Sequence, residues 1–436
     1  MKVKEIYTTT KECQWSKAEI KEGLNPSKLK TVNSYREVIW KGFGGCFNEL
    51  GKEVMDSLAI EKQEEIYNNL FSLNSGGLGL KYLRIPIGAS DYAVDWYSLN
   101  ETPGDYEMTH FTLERDKKRL IPYIKEALSR NQDIIFFASP WSPPTWMKNP
   151  QVYNYGRLIW TEANLRAYAL YLARFIQEYK NEGIIIHQLH VQNEVTSDQK
   201  FPSCLWSAEQ LKEFVSKYLG PLFEQFHINT QIWLGTINAT GWNECPGSNR
   251  YNLYANPVLD DSETYSYIHG VSYQWEGKNA LQVTVDSYPE LEYIQSENEC
   301  GDGNNTWEYA KYVFELMRHY ISNGTCGYIY WNMILRNGGE STWGWKQNSM
   351  ITIDNKGNVH YEYEFYVMKH VSRYVDTDAK VLRLEGHFSG TSIGFMNPNK
   401  SIVLIIQNPF SYEKSIAFEG QSFTLKADSI NTILLQ

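Results

Sequence analysis

The feature that most constrains the fold is an alternation of short apolar, strand-like runs with amphipathic helical stretches. This alternation is typical of an α/β fold with parallel strands, because each helix returns the chain to the edge of the sheet where the previous strand began. Eight predicted strands follow one another: Val38–Phe47, Leu80–Ile87, Asp133–Ser139, Ile184–Val191, Gln231–Ile237, Ile268–Tyr273, Leu291–Gln295 and Gly327–Met333.

Helices are predicted between most of these strands. The clearest spans Glu162–Tyr179, where apolar side chains recur at three- and four-residue spacing after Thr161, a suitable N-cap. Ser207 and Gln210 form a capping-box pattern at the start of another helix. Eight strands with intervening helices predict a (β/α)8 barrel. A doubly wound open sheet is the alternative, but it would normally carry a GxGxxG turn that the glycines near residue 44 do not form.

Both ends of the chain show a different pattern. The N-terminal stretches Glu5–Thr10 and Gln14–Lys17 also have strand character, and they precede the barrel. After about residue 375, short alternating strands with Gly, Ser and Asn-Pro breaks predict an antiparallel β module. The C-terminal strands are Val381–Leu384, Ser392–Met396, Ser401–Gln407, Lys414–Phe418, Ser422–Leu425 and Asn431–Leu435. We expect both termini to form one side β-sandwich, which gives segments 1–34 and 376–436 around a catalytic barrel of residues 35–375.

Composition narrows the class of function. The 436 residues carry a formal net charge of −10 and no block of Lys and Arg, so nucleic acid is not an expected partner. No apolar run reaches the length of about 18–20 residues that a membrane span needs. The first residues hold no apolar core of signal-peptide length, which predicts a cytoplasmic protein. The sequence does not indicate an oligomeric state.

Cofactors and metals are not expected. None of the six cysteines forms a CxxC pair, metal-ligand spacing is absent, and a chain of this length does not need a disulfide framework. The cysteines are Cys13, Cys46, Cys204, Cys245, Cys300 and Cys326.

Two glutamates at strand ends carry the strongest functional signal. Glu194 ends the fourth predicted strand and Glu297 ends the seventh, and the ends of barrel strands meet on one face of the fold. A pair of carboxylates facing each other across a sugar ring is the catalytic apparatus of most glycosidases. Guanidinium, amide and indole groups follow other strand ends, so the set predicts a carbohydrate active site.

The motifs at these strand ends resemble those of glycoside hydrolase family 30, the family of the glucosylceramidase-like retaining β-glycosidases. The resemblance runs from about residue 35 to the C-terminus, and its longest motif is highly specific. The matching segments are Gly42-Phe43-Gly44-Gly45, Arg84-Ile85-Pro86, Ala138-Ser139-Pro140-Trp141-Ser142-Pro143-Pro144-Thr145-Trp146, Asn193-Glu194, Ser296-Glu297 and Trp331-Asn332. The resemblance implies a (β/α)8 barrel with a side β-sandwich, in agreement with the pattern of strands.

The resemblance also implies roles for individual residues. Glu194 is the expected acid/base and Glu297 the expected nucleophile of a retaining double displacement. Asn193 is expected to bind the sugar 2-hydroxyl, and Arg84 to hold Glu297 ionised. Glu299 shares the strand parity of Glu297 and is the alternative nucleophile.

Further residues are expected to bind the substrate, and several differ from the glucosylceramidase pattern. A carboxylate after the glycine motif is expected to grip hydroxyls far from the anomeric carbon, and the sixth strand ends in a sequence that lacks the family's tyrosine. These positions do not identify which sugar the chain binds. The residues are Glu49, Trp141, Gln274, Trp275, Glu276 and Trp331.

The predicted function is therefore an exo-acting retaining β-glycosidase on β-D-glucosides or close relatives. Its partner would be a small-molecule or oligosaccharide β-glycoside. A β-D-fucosidase, a β-xylosidase, or an endo-glycanase on β-1,6-glucan or xylan are alternatives within the family. A non-catalytic carbohydrate-binding barrel is the alternative from another class.

Overall fold

A computed structural model describes residues 1–34, 36–240 and 254–436 of the chain. Cys245, one of the six cysteines, lies outside the described residues. The strands are β1 (Val3–Thr9), β2 (Ser16–Ala18), β3 (Ser27–Val32), β4 (Gly42–Cys46), β5 (Tyr82–Ile87), β6 (Ile135–Pro140), β7 (Lys148–Asn149), β8 (Arg157–Leu158), β9 (Ile186–His190), β10 (Gln231–Ile237), β11 (Ile268–Gln274), β12 (Glu292–Glu297), β13 (Gly327–Asn332), β14 (Ile334–Arg336), β15 (Ile351–Ile353), β16 (Val359–Tyr361), β17 (Lys380–Gly386), β18 (Ser392–Met396), β19 (Ile402–Asn408), β20 (Lys414–Phe418), β21 (Gln421–Leu425) and β22 (Ser429–Leu435). The α-helices are α1 (Glu49–Asp56), α2 (Ile60–Phe71), α3 (Leu120–Arg130), α4 (Glu162–Asn181), α5 (Ala208–Phe214), α6 (Gly220–Gln225), α7 (Ala255–Leu259), α8 (Ser262–Tyr267), α9 (Leu281–Ser287), α10 (Trp307–Ser322) and α11 (Tyr363–Ser372).

Eight parallel strands close into a barrel in the order β4, β5, β6, β9, β10, β11, β12, β13, with β13 pairing back to β4. All eight strands predicted from the sequence are present, and closure excludes the open doubly wound sheet. The predicted caps are also confirmed: the Thr161 side chain accepts from the Asn164 amide, and Ser207 and Gln210 form both bonds of a capping box. None of the helices in the described ranges is long and apolar enough to cross a bilayer.

The first barrel strand is shorter than the predicted run Val38–Phe47. The Trp40 amide donates to the Ala379 carbonyl, and the Val38 carbonyl accepts from Val381, so the start of this run pairs with the beginning of β17 and the residue before it. The glycines of β4 serve close packing. A Cβ atom on Gly44 would lie 1.4 Å from the Tyr82 carbonyl oxygen, and one on Gly45 would lie 2.4 Å from Met333.

Both chain termini build the side module, as the sequence predicts. Its nine strands follow the order β2, β1, β22, β19, β18, β17, β3, β20, β21, and all pairs are antiparallel except that of β3 with β20. Strand β17 pairs through its first half with β18 and through its second half with β3, so one strand joins two layers. Apolar side chains from both layers, such as Leu29, Leu404 and Phe418, form the core between them.

Candidate active site

A cavity of about 550 Å³ opens at the carboxyl ends of the barrel strands. This face is where the active sites of (β/α)8 enzymes lie. Its lining combines carboxylates, amides and indole rings, and most of the predicted site residues are among them. The lining residues are Asp91, Trp141, Asn193, Glu194, Ser197, Gln199, Lys200, Phe201, Asn238, Trp275, Glu276, Glu297, Trp343, Trp345 and Gln347.

Glu194 and Glu297 face each other inside this cavity. Their residues are 8% and 6% exposed, and both carboxylates accept from one atom, Nε2 of Gln274, at 3.2 and 3.3 Å. Because both carboxylate oxygens bond to the same nitrogen atom, the distance between them is shorter than the sum of the two hydrogen-bond lengths. Gln274 is fully buried at the end of β11, so the amide that bridges the pair is fixed by the barrel.

The donors around the two carboxylates differ. Glu297 accepts from Nη1 of Arg84 at 2.9 Å and from Nε1 of Trp275 at 3.2 Å, in addition to Gln274. Glu194 accepts from the Ser197 hydroxyl at 2.6 Å besides Gln274. Glu297 thus receives three N–H donors, one of them charged, whereas the hydroxyl beside Glu194 can donate or accept.

Arg84 is the centre of the hydrogen-bond network. Its guanidinium is fully buried and donates to the Ser139 hydroxyl and, at 2.6 Å, to Oδ1 of Asn193 as well as to Glu297. The guanidinium carbon lies 4.4 Å from the centre of the Trp141 ring and 5.4 Å from that of Trp331. Charge pairing and these two ring faces compensate the burial of the cation.

The amide of Asn193 is oriented by its oxygen. Oδ1 accepts from Arg84, from the Thr236 hydroxyl at 3.1 Å and from Gln274 at 3.4 Å. These bonds turn the NH2 group towards the cavity that Asn193 lines, where it can donate to a ligand.

Two residues at the site have left-handed backbone conformations. Glu194 has φ of 49° and Trp275 has φ of 48°, values that are uncommon for residues other than glycine. Such conformations persist where surrounding structure holds them, and they concentrate at functional sites. The Glu194 amide donates to the Thr236 carbonyl at 3.0 Å, which holds the carboxylate at the strand end.

Burial dominates the acid–base properties of the pair. It raises the pKa of Glu194 and of Glu297, and the positive charge of Arg84 opposes this shift in both. The negative charge of Glu194 raises the pKa of Glu297 further. Two carboxylates coupled in this way titrate as a unit, in which one proton is shared over a range of pH.

The structure does not bring Glu49 to the cavity. Its carboxylate accepts from Nε and Nη2 of Arg115, both at 2.8 Å, and from the Val94 amide at 3.0 Å. Only 2% of the residue is exposed, and Asn48, one residue earlier, caps α1. Glu49 therefore stabilises the connection that follows β5.

Asp91 occupies the cavity instead, and the sequence reasoning missed it. It lies four residues after the end of β5, is 6% exposed, and its Oδ1 atom has no donor among the described residues. Burial and the charges of Glu297 and Glu194 raise its pKa well above the ordinary value. The signal that could have identified it is an aspartate in the loop that follows the carboxyl end of the second barrel strand.

The remaining predicted residues are two buried tryptophans, Trp141 and Trp331, and two glutamates farther from the catalytic pair, Glu276 and Glu299. Trp141 and Trp331 are buried with ring centres 5.4 Å apart next to the Arg84 guanidinium, and Trp141 lines the cavity. Glu276 lies at the mouth, where its mostly exposed side chain faces Lys278. Glu299 does not line the cavity, because it pairs with Lys278 at 2.8 Å and accepts from the Tyr312 hydroxyl at 2.6 Å.

Among the described residues, no cluster of three or more His, Cys, Asp or Glu side chains is arranged to hold a metal ion.

Comparison with known proteins places the chain. The sequence profile of the Glycosyl hydrolase family 30 TIM-barrel domain matches residues 40–375. Lysosomal acid glucosylceramidase of Mus musculus is 26% identical over 399 residues, which cover 84% of this chain and 74% of the relative. Endo-1,6-beta-D-glucanase BGN16.3 of Trichoderma harzianum is 24% identical over 409 residues, which cover 87% and 79%. The crystal structure of SrfJ from Salmonella typhimurium superposes with a TM-score of 0.87 at 22% identity and covers 99% of both chains. The chain therefore belongs to glycosyl hydrolase family 30 and is a hydrolase of β-glycosides.

Proposed function

We propose that the chain is an exo-acting retaining β-glycosidase that hydrolyses β-D-glucosides or closely related β-glycosides by double displacement. The observation that carries this proposal is the bridging of Glu194 and Glu297 by a single nitrogen atom of Gln274. Retaining glycosidases hold their carboxyl groups about 5–5.5 Å apart, whereas inverting enzymes need about 6.5–9.5 Å to admit a water. Two oxygens bonded to one atom at 3.2 and 3.3 Å support the shorter separation.

The donors around the two carboxylates support different roles for them. Arg84, Trp275 and Gln274 all donate to Glu297, which favours its ionised form as the nucleophile. The negative charge of either carboxylate raises the pKa of the other. The three N–H donors at Glu297 favour the charge there, which leaves the shared proton on Glu194, whose neighbour Ser197 can accept from it. Glu194 is thereby the general acid at the start of the reaction.

The reaction takes two steps. Glu297 attacks the anomeric carbon while the bond to the leaving oxygen breaks, and Glu194 transfers its proton to that oxygen. Glu194 then accepts a proton from water as the water attacks the same carbon, the ester bond to Glu297 breaks, and both carboxyl groups return to their first states. The NH2 group of Asn193 binds the sugar 2-hydroxyl in this arrangement.

Asp91 is the group that binds hydroxyls of the glycone, the sugar whose anomeric carbon reacts. Its Oδ1 has no donor among the described residues, it lines the cavity beside the pair, and a carboxylate accepts strongly from hydroxyl donors. The role expected of Glu49 passes to Asp91 in this proposal. We also propose residues 35–375 as the catalytic unit, since all the groups named here come from it.

Substitution of each glutamate tests the proposal. Glu297→Gln is expected to abolish turnover of an aryl β-glycoside, and azide is expected to restore turnover to Glu194→Ala by replacing water at the glycosyl-enzyme. Glu299→Gln is the matched control, because Glu299 is bound by Lys278 and Tyr312 outside the cavity. Full activity of Glu297→Gln would contradict the assignment.

An endo-acting β-1,6-glucanase is the second candidate, because the Trichoderma relative carries that name and matches most of the chain. Digestion of β-1,6-glucan separates the two. An exo-acting enzyme releases monosaccharide from the start, whereas an endo-acting enzyme produces a ladder of oligosaccharides. A screen of aryl β-glucoside, fucoside, xyloside and galactoside then identifies the sugar.

A further inference from the structure

The rim of the cavity carries an aromatic surface that the reaction itself does not use. Trp343 and Trp345 stack with ring centres 5.5 Å apart and planes inclined by 16°. Phe201 packs on Trp343 with ring centres 5.3 Å apart, and all three line the cavity. We call Trp343 and Trp345 the tryptophan platform.

The platform is held in a tight turn. The Ser341 amide donates to the Trp345 carbonyl at 2.7 Å, and the Trp345 amide donates to the Ser341 hydroxyl. Asn332, at the end of β13, donates to Oε1 of Gln347 at 2.7 Å. The turn is therefore fixed to the barrel strand that ends beneath the site, so the rings are oriented before a ligand binds.

The platform is in contact with the loop that follows the general acid. Glu194 and Ser197 begin the loop that reaches Phe201, and Phe201 packs on Trp343. A group that leaves from the anomeric carbon must lie next to the residue that protonates it. The contact through Phe201 therefore favours the side of the cavity where the leaving group lies.

The chemistry of this rim suits a sugar. Trp345 is 45% exposed, and Nε1 of Trp343 is buried without an acceptor among the described residues. Gln199, Lys200 and Glu276 line the same cavity, so polar side chains and aromatic rings share this lining. A lipid chain would need a continuous apolar surface, whereas a pyranose ring presents an apolar face for an indole and hydroxyls for polar neighbours.

We propose that the tryptophan platform binds the leaving-group sugar of a β-linked disaccharide or oligosaccharide, with one face of the sugar ring on Trp345. The inference rests on the proposed function of the same cavity, and it names a carbohydrate rather than a lipid as the leaving group.

The test compares two substrates that share the glycone preferred in the aryl screen. A β-glycosyl fluoride has a leaving group of one atom, and a β-linked disaccharide has a sugar that reaches the rim. In Trp345→Ala and Trp343→Ala, the ratio of kcat/KM for the disaccharide to that for the fluoride is expected to fall about tenfold. Trp345→Tyr keeps an aromatic face and is expected to recover most of the ratio. Tyr412→Ala, an exposed aromatic residue of the sandwich, should leave both rates unchanged.

The outcomes are distinct. An unchanged ratio in the alanine variants of an active enzyme would overturn the inference alone. So would a selective loss on a glycosylated lipid in detergent micelles, because the platform would then bind a lipid. Failure of the wild-type chain to hydrolyse the fluoride would overturn the proposed function and the inference with it.

Discussion

The replacement Asp91→Asn separates binding from stability at the site. The change keeps the shape of the side chain and removes its negative charge, and in the proposed function it weakens hydrogen bonds from the hydroxyls of the sugar. A hydrogen bond to a charged group contributes about 1.5–3 kcal/mol, so kcat/KM for an aryl β-glycoside should fall about 10- to 150-fold. Initial rates at several substrate concentrations, compared with those of the wild-type chain, measure this loss.

The same change should stabilise the folded protein at neutral pH. Burial and the charges of Glu297 and Glu194 raise the pKa of Asp91 above its value in the unfolded chain. The folded state then binds more protons than the unfolded state between these two pKa values, and its stability falls as pH rises through that window. Asparagine carries no charge, so the midpoint of thermal unfolding should rise at pH 7. The gain should shrink below the ordinary carboxyl range, where Asp91 is protonated in both states.

Glu49→Gln is the matched control and should behave in the opposite way. Glu49 pairs with Arg115 away from the cavity, and loss of its charge leaves this arginine with weaker partners. We expect a loss of about 2 kcal/mol in the free energy of unfolding with kcat/KM close to that of the wild type. Equal losses of activity in the two variants, with a lower unfolding midpoint for Asp91→Asn, would refute the reasoning.

Two further predictions concern the acid–base pair and the contact between barrel and sandwich. The pH dependence of kcat/KM should be bell-shaped, because activity needs one proton on the pair. Its alkaline limb should lie above the ordinary glutamate pKa of 4.5, since burial raises the pKa of Glu194. An alkaline limb at or below pH 4.5 would contradict the assignment of the proton to Glu194. Asp428→Ala removes the acceptor of Trp307 and Lys311, each at 2.8 Å, and should lower the free energy of unfolding in urea by about 1–3 kcal/mol, whereas kcat/KM stays that of the wild type. Unchanged stability would mean that this contact does not fasten the sandwich to the barrel.

The fold was largely predictable because its signals are local. Alternating apolar runs and the caps at Thr161 and Ser207 lie within short windows of sequence, and both are confirmed. The first barrel strand was predicted to begin at Val38, before its observed start. The partner of this early segment lies near Val381, more than 300 residues away in the chain. No local pattern shows that pairing.

The site was predictable in part, and the position of Glu49 outside the cavity has a physical cause. Glu49 and Asp91 both follow barrel strands, so the rule of strand ends fits either residue. Arg115 decides between them, since it neutralises Glu49 from a loop 66 positions later in the chain. The contact of the sixth strand end with sugar stays a prediction. Gln274 and Trp275 also donate to Glu297, a contact that no local pattern shows. The catalytic roles of Glu194 and Glu297 stay a prediction, as does the cytoplasmic location.

The central claim is that Glu297 becomes covalently bound to the sugar. A 2-deoxy-2-fluoro β-glycosyl fluoride of the preferred sugar forms the glycosyl-enzyme but hydrolyses slowly, because the fluorine destabilises the positive charge of the transition state. Mass spectrometry of the intact protein, followed by fragmentation of the labelled peptide, locates the ester. The account predicts one added glycosyl group on Glu297 and none in Glu297→Gln. An ester on Glu299, or complete inactivation without any covalent adduct, would contradict it.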